Sequence, residues 1–406
     1  MPATEASCGG RHAEAAAIRT LLSHAGVMNP ATQQPLSEAL CFGIAGGIGA
    51  GYSFCPSVPR DQMGSGVSIV GRHKSYATDA SWYQGCFDRL GIKTRITETA
   101  AAGKALANLQ AEVAAGRPTV VWCARSMLPF LHDLMTACGL WMHSFVVTEI
   151  DERTGEARGC DRSPVPVSIS LEKLSAARGA ICSHKNRTLT IEPPKKLSAA
   201  ALKAAAIAGI RACVDELYLK PRMKTFSLAG LEALAKVIDN DKAKDGWLKD
   251  FTPGLLYQAL RDAFDSIETS GTGGGLYRNL FADFLAEAAD IAGRRSLGDL
   301  ASRYRELAQQ WTETGHFLLP ADVKPLAETR KLLVKQRTLY ETKGPKADQQ
   351  LSEIAAALQA IATAMHNEFP LNSLQQRELL HGVRCRIVSL HAAETALAKE
   401  LAAALG

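Results

Sequence analysis

The chain lacks the residue spacings on which several common chemistries depend. Its ten cysteines, Cys8, Cys41, Cys55, Cys86, Cys123, Cys138, Cys160, Cys182, Cys213 and Cys385, form no C-x-x-C pair, so zinc-ribbon and thioredoxin-type sites have no ligands at the required separation. Reduced, mostly buried thiols are the expectation. Long apolar runs are missing too: nothing approaches the roughly 18 consecutive apolar residues of a bilayer-spanning helix. The opening MPATEASCGGRHAEA has no apolar stretch after a basic one. A cytoplasmic location without membrane association follows as an expectation. Basic runs are absent, and a net charge of +5 is spread among acidic residues, which leaves no stripe for nucleic acid. The glycine run from Gly43 to Gly51 has no Lys-Ser/Thr ending, so it reads as closely packed backbone rather than a phosphate loop. Gly64-Ser65-Gly66 lacks the G-x-S-x-G spacing of a serine nucleophile.

What is present is an ordinary globular composition, 47% hydrophobic and 21% charged over 406 residues, enough for two domains with a core in each. Strand-like runs at Val67 to Val70, Thr119 to Cys123, Ser144 to Ile150 and Val165 to Ile169 alternate with short helical segments, an α+β pattern. Pro193-Pro194-Lys195-Lys196 breaks that pattern, and the strand signal ends there. We therefore divide the chain into residues 1–195 and an all-α part, 196–406. In the second part apolar residues recur at helical spacing in Ala200 to Leu219, Leu228 to Ile238, Leu255 to Ile267, Leu276 to Ala292, Leu297 to Trp311, Leu351 to Met365 and Leu374 to Leu405. Their uneven intervals indicate one bundle, not a repeat array. Trp247 and Trp311 read as core, and a bundle of this length leaves room for a homodimer.

Chemistry concentrates around His143 and Asp161. His143 opens a strand-like segment, Asp151 to Gly155 supplies turn residues that send the chain back antiparallel, and Asp161 then falls beside it. A carboxylate beside an imidazole fixes its tautomer and stabilises its protonated form, as a general base for a nucleophile requires. Taken alone, a histidine on an apolar strand is more often a core residue. The segment Gly9-Gly10-Arg11-His12-Ala13-Glu14 weighs against that, because it opens a helix running through Leu22 to a stop at Gly26. In cysteine hydrolases and transferases a thiol at such a helix start is pushed toward thiolate and paired with a distant histidine.

On these elements the sequence resembles the N-terminal domain family named after butirosin biosynthesis protein H (BtrH). The resemblance rests on Arg11-His12-Ala13-Glu14 with Ala17 and Leu21-Leu22, then on Leu36-Ser37-Glu38-Ala39-Leu40-Cys41-Phe42-Gly43 with Gly46-Gly47-Ile48-Gly49. Gly71-Arg72, the His143 strand, Asp161-Arg162 with Pro166, Leu171, Leu174 and Ala177-Arg178 extend it. From about residue 200 the chain is similar to the helical domain that commonly follows, through Gly246-Trp247, Ile267-Glu268, Gly271 to Gly275 with Arg278, and Ala282 with Phe284-Leu285-Glu287-Ala288.

The resemblance implies a papain-like cysteine-transferase/peptidase fold and transfer of an acyl group from a carrier-protein thioester to a small-molecule amine through a cysteinyl intermediate. The partner is then an acyl carrier protein bearing phosphopantetheine, and the chain needs no cofactor or metal of its own. In that family the residue after the first motif's histidine is the cysteine nucleophile; here it is Ala13. A methyl group cannot attack a thioester, so the covalent route is closed in this sequence. Because His143 and Asp161 keep recognisable surroundings, an engineered Cys-to-Ala change fits better than ancient loss. The rivals are a carrier-bound acyl cyclase or thioester hydrolase of the same fold, and a non-catalytic carrier-binding module.

The remaining candidates divide between function and packing. Glu38 suits a substrate pocket as well as an ordinary cap beside Ser37. His12 and Arg72 are placed near substrate, His12 more as packing. Gly271 to Gly275, between Glu268 and Arg278, reads as a flexible hinge rather than an anion site. Cys8, in a flexible Ser-Cys-Gly-Gly lead, is not expected to replace the missing thiol.

Overall fold

The structure, a computed structural model, describes residues 8–54, 65–72, 80–132, 142–193, 195–251 and 253–405. Cys55, Cys138, Trp141, Pro194 and the Gly64 of the Gly64-Ser65-Gly66 segment lie outside them. Residues up to 193 form helices α1 (Ala13–His24), α2 (Glu38–Ala45), α3 (Ala80–Arg89), α4 (Ala102–Ala114) and α5 (Leu171–Gly179). Their strands are β1 (Gly51–Phe54), β2 (Val67–Val70), β3 (Thr94–Thr97), β4 (Thr119–Ala124), β5 (Met142–Asp151), β6 (Glu156–Cys160), β7 (Val167–Ser170) and β8 (Thr188–Ile191). Strands β3 to β8 make one antiparallel sheet in the order β3-β8-β4-β5-β6-β7, and β1 pairs with β2 as a separate ribbon. The α+β reading of this part holds.

Alternation along the central strands splits the core in two. Val120, Trp122 and Val146 face one side of the sheet, with Ile18, Leu21 and Phe42 of α1 and α2; Val121, Cys123, Phe145 and Val147 face the other, with Leu109 and Leu174 of α4 and α5. Period-two alternation makes this division unavoidable once both faces are covered.

After residue 195 the described chain is helical: α6 (Ala199–Val214), α7 (Leu228–Val237), α8 (Trp247–Asp250), α9 (Pro253–Glu268), α10 (Arg278–Ala292), α11 (Arg295–Leu318), α12 (Lys324–Lys343), α13 (Asp348–Asn367) and α14 (Ser373–Ala403). Helix α12 has no counterpart among the expected segments. Its buried side chains are only Leu326, Thr329, Leu333 and Tyr340, a stripe one residue wide that the charged positions around it mask. Trp247 and Trp311 are core, each with its indole N–H donating, to the Tyr52 hydroxyl and the Glu394 carboxylate respectively.

The apolar cluster on the α1 side runs without a break across residue 195, from Phe42 and Ile44 to Leu202, Phe281 and Phe284. The glycine run is what permits this contact. A Cβ on Gly43 would fall inside the Phe284 ring, and one on Gly209 would strike the Gly43 carbonyl. Arg278, fully buried, ties the same seam with polar bonds. Its Nη2 donates to the Gly49 carbonyl (2.7 Å), its Nη1 to that of Gly71 (3.3 Å), and its Nε to Glu394 of α14 (2.7 Å). Removing one partner of such a buried pair costs about 3–5 kcal/mol, because the other charge is left unpaired.

One sequence expectation is overturned here. Cys8 and Cys160 are joined in a disulfide, whereas Cys41, Cys86, Cys123, Cys182, Cys213 and Cys385 are free. A distance of 152 residues in sequence hides a pair that β6 and the lead into α1 bring side by side. No described helix is long and apolar enough to cross a membrane.

Candidate active site

The start of α1 is held by hydrogen bonds from three directions. His12 is its N-cap, with Nδ1 accepting from the Ala15 N–H at 3.3 Å. Glu38, the first residue of α2, reaches across with Oε1 and accepts from the backbone N–H groups of Arg11 (2.8 Å) and His12 (2.6 Å). Ser37, not Glu38, is the cap of α2: it accepts from the Leu40 N–H at 3.0 Å and donates to Glu287. The cap half of the Ser37-Glu38 reading thus falls to Ser37, while the Glu38 carboxylate braces the start of α1. Gly10, at φ 144°, leaves room for the Glu38 carboxylate; a Cβ there would press on it.

The lead before α1 is not a free tail. Arg19 donates to the carbonyls of Cys8 (3.1 Å) and Gly9 (2.6 Å), the Gly9 N–H donates to the Asp161 carbonyl at 3.0 Å, and the disulfide closes the loop. Cys8 is therefore committed to Cys160 rather than loose. Ala13, half-buried, is the first helical residue, so its N–H has no intrahelical acceptor.

Strand β5 delivers His143 as its second residue, and Asp151 folds the return. The Asp151 carboxylate accepts from the N–H groups of Arg153 and Thr154, and Gly155 takes φ 69°. With Val146 opposite Cys160, the chain leaves β6 one residue before Asp161. His143 Nε2 and Asp161 Oδ1 stand 2.9 Å apart, both buried. Burial alone would push the Asp161 carboxyl up, but the charge and hydrogen bond of His143, the Arg162 guanidinium and the Tyr340 hydroxyl hold it well below the usual carboxylate range. An ionised carboxylate only accepts. That assigns the proton to Nε2 and leaves the Nδ1 lone pair of a neutral ring for other work.

Helix α1 packs against β5, which brings the two halves of the site together. His12 is close enough to feel His143: burial first, then Arg72, Arg162 and His143, push its imidazole well below 6.5. His12 is boxed by the rings of Phe42, Trp82 and Tyr277, all edge-on at 5.2 to 5.4 Å. Arg72 is engaged by the Glu14 carboxylate at 2.5 Å and lies over Trp82.

The helical part closes over this site, and its residues are the ones sequence reasoning missed. Tyr340 of α12 donates to Asp161 Oδ2 at 2.5 Å, and Glu341 pairs with Arg162 at 3.0 Å. Tyr277 sits at φ 69°, unusual for a bulky side chain, stacked on Phe42. The Gly271 to Gly275 loop is a bonded turn and not a free hinge. Thr272 Oγ1 donates to Ile267, the Gly275 N–H to Glu268, and Gly271 and Gly273 lie against Arg11. Nothing local in the sequence marks Tyr340, whose partner lies 179 positions away.

An antiparallel sheet with a helix start and a buried imidazole–carboxylate pair at one end defines an α+β domain with acid–base groups in place. Residues 12–162 match the family described as butirosin biosynthesis protein H, N-terminal, and residues 169–325 match a domain of unknown function (DUF4872). The N-terminal part of the chain is thus similar to the butirosin biosynthesis protein H N-terminal domain family, and that similarity implies an acyltransferase-like function related to biosynthesis. No curated protein matches it. The second family match begins inside β7, ahead of the boundary read at residue 195.

Proposed function

We propose that the chain is organised as a papain-like acyltransferase of natural-product biosynthesis, acting between an acyl carrier protein's phosphopantetheine thioester and a small-molecule amine, with Ala13 at the nucleophile position. The observation carrying this reading is the His143–Asp161 pair, bonded through Nε2, with no bond to Nδ1 from the described residues, on the strand against which α1 packs. A thiol at position 13 would sit at a helix N-terminus, where the dipole favours thiolate. Thiolate attack on the thioester carbonyl would form an acyl-enzyme. The departing carrier thiol takes a proton from the His143 imidazolium, and the incoming amine returns one to His143 as the amide forms. The Ala13 N–H, lacking a helical acceptor, is suited to stabilise the oxyanion. As it stands the chain is inactive by this route. The division at residue 195 is kept as two units that share one core, and a cytoplasmic location goes with the carrier partner. The Cys8–Cys160 bond is the observation against that location, since disulfides persist in oxidising compartments.

The test is intact mass of the Ala13→Cys variant and the parent after mixing with acyl-loaded carrier protein. An acyl-sized increase in the variant alone supports the covalent route. Absence of an adduct in both, with carrier binding shown separately, defeats it. A second reading draws on the retained pair itself: His143 acts purely as a base in cyclisation of a carrier-bound chain. It requires the unmodified chain to release a cyclic product.

A further inference from the structure

We propose that Tyr340, which lies beyond both family matches, is a positioning residue of the active site, its hydroxyl holding the Asp161 carboxylate in the orientation that aims His143. This rests on the acid–base role given to His143 above. The carboxylate is gripped at both oxygens, Oδ1 by His143 Nε2 at 2.9 Å and Oδ2 by the Tyr340 hydroxyl at 2.5 Å, so its plane cannot turn without breaking one bond. Tyr340 otherwise lies in an apolar cluster with Phe145, Val147 and Leu351. Packing there would be served as well by phenylalanine, and a buried hydroxyl is tolerated only where it is bonded.

The helix that brings this hydroxyl is itself pinned beside the site. Gln336 donates to the His132 carbonyl (2.8 Å), Arg337 to that of Glu268 (2.5 Å), Glu341 pairs with Arg162 (3.0 Å), and the Arg162 guanidinium lies over the Tyr340 ring. A shift of α12 therefore moves the carboxylate to which His143 is bonded. Among the described residues, the charged and titratable groups around Asp161 include His143 from β5, Arg162 beside it in the chain, Tyr83 from α3, and Tyr340 and Glu341 from α12.

The experiment compares Tyr340→Phe with its parent in two backgrounds. In the chain as it stands, the downfield proton resonance of the His143 Nε2–H, assigned by its loss in Asp161→Asn, should move or broaden through faster solvent exchange. In the Ala13→Cys background, kcat should fall about tenfold with KM little changed, and the acid limb of the pH–rate profile should move to higher pH, because the carboxylate has lost one of the bonds that favour its ionised form. An unmoved resonance together with an unmoved pH profile overturns the proposal. A moved resonance with no acyl adduct in any variant supports Tyr340 and instead defeats the acyl-transfer reading. Should Tyr340→Phe fold poorly, fluorotyrosine at position 340 keeps the ring and strengthens the donor. It should displace the resonance from its position in the parent, and no displacement overturns the proposal.

Discussion

The two ends of the site are finished to the same degree yet differ in what they can do. At the β5–β6 end, His143, Asp161 and Tyr340 form a continuous bonded chain of titratable groups. At the α1 end, Glu38, Arg19, His12 and the disulfide brace a helix start whose first side chain is a methyl. The contrast teaches that the bracing of a helix start does not depend on the reactivity of the side chain it presents. Under the proposed function the α1 start would hold a nucleophile at residue 13, where the chain carries Ala13.

The comparison can be broken at the β5–β6 end most sharply. In the Ala13→Cys background, Asp161→Asn should lower the acylation rate on the order of a thousandfold, since the amide no longer enforces the Nε2–H tautomer or stabilises the imidazolium. Stopped-flow acylation with a loaded carrier checks it. A drop of only a few fold would mean that the pair is structural.

At the α1 end the expected effects are on stability. Cys8→Ser opens a disulfide spanning 152 residues and should cost about 2–5 kcal/mol in denaturant unfolding. Unchanged unfolding, or free thiols at Cys8 and Cys160 in non-reducing peptide mapping of the parent, would show that the lead is held by hydrogen bonds alone.

The smallest effect concerns His12. Burial, then Arg72, Arg162 and His143, depress its folded-state value below 6.5. In the window between those two values the unfolded chain takes up a proton that the folded chain refuses. The stability His12 contributes is therefore fully present above 6.5 and is lost as pH falls toward the folded value. His12→Asn retains a capping side chain and should flatten the decline measured between neutral and mildly acidic pH. An identical slope would show that His12 does not titrate in that range.

Much of this molecule was legible along the chain. Period-two runs located β2, β4, β5 and β7, and helical spacing located α6, α7, α9, α10, α11, α13 and α14, because each buries a wide apolar face that leaves its period in the sequence. Turn residues after Asp151 placed Asp161 next to His143, and the lead through His12 announced the start of α1. Local rules suffice for such features because their causes are local: pleat, cap and turn.

The tertiary structure alone decided the rest. Helix α12 buries a stripe too narrow to show as a period, yet it brings Tyr340 to Asp161 across 179 positions. Cys8 and Cys160 carry no spacing that marks them as a pair, and become one only when the lead folds against β6. Glycines that read as close packing did prove to be so, but their partners, Phe284 and the Gly209 backbone, belong to the other half of the chain. Short-range periodicity records which side of an element is buried. What it is buried against depends on how distant elements meet, and that contact supplied the third member of the His143–Asp161–Tyr340 chain.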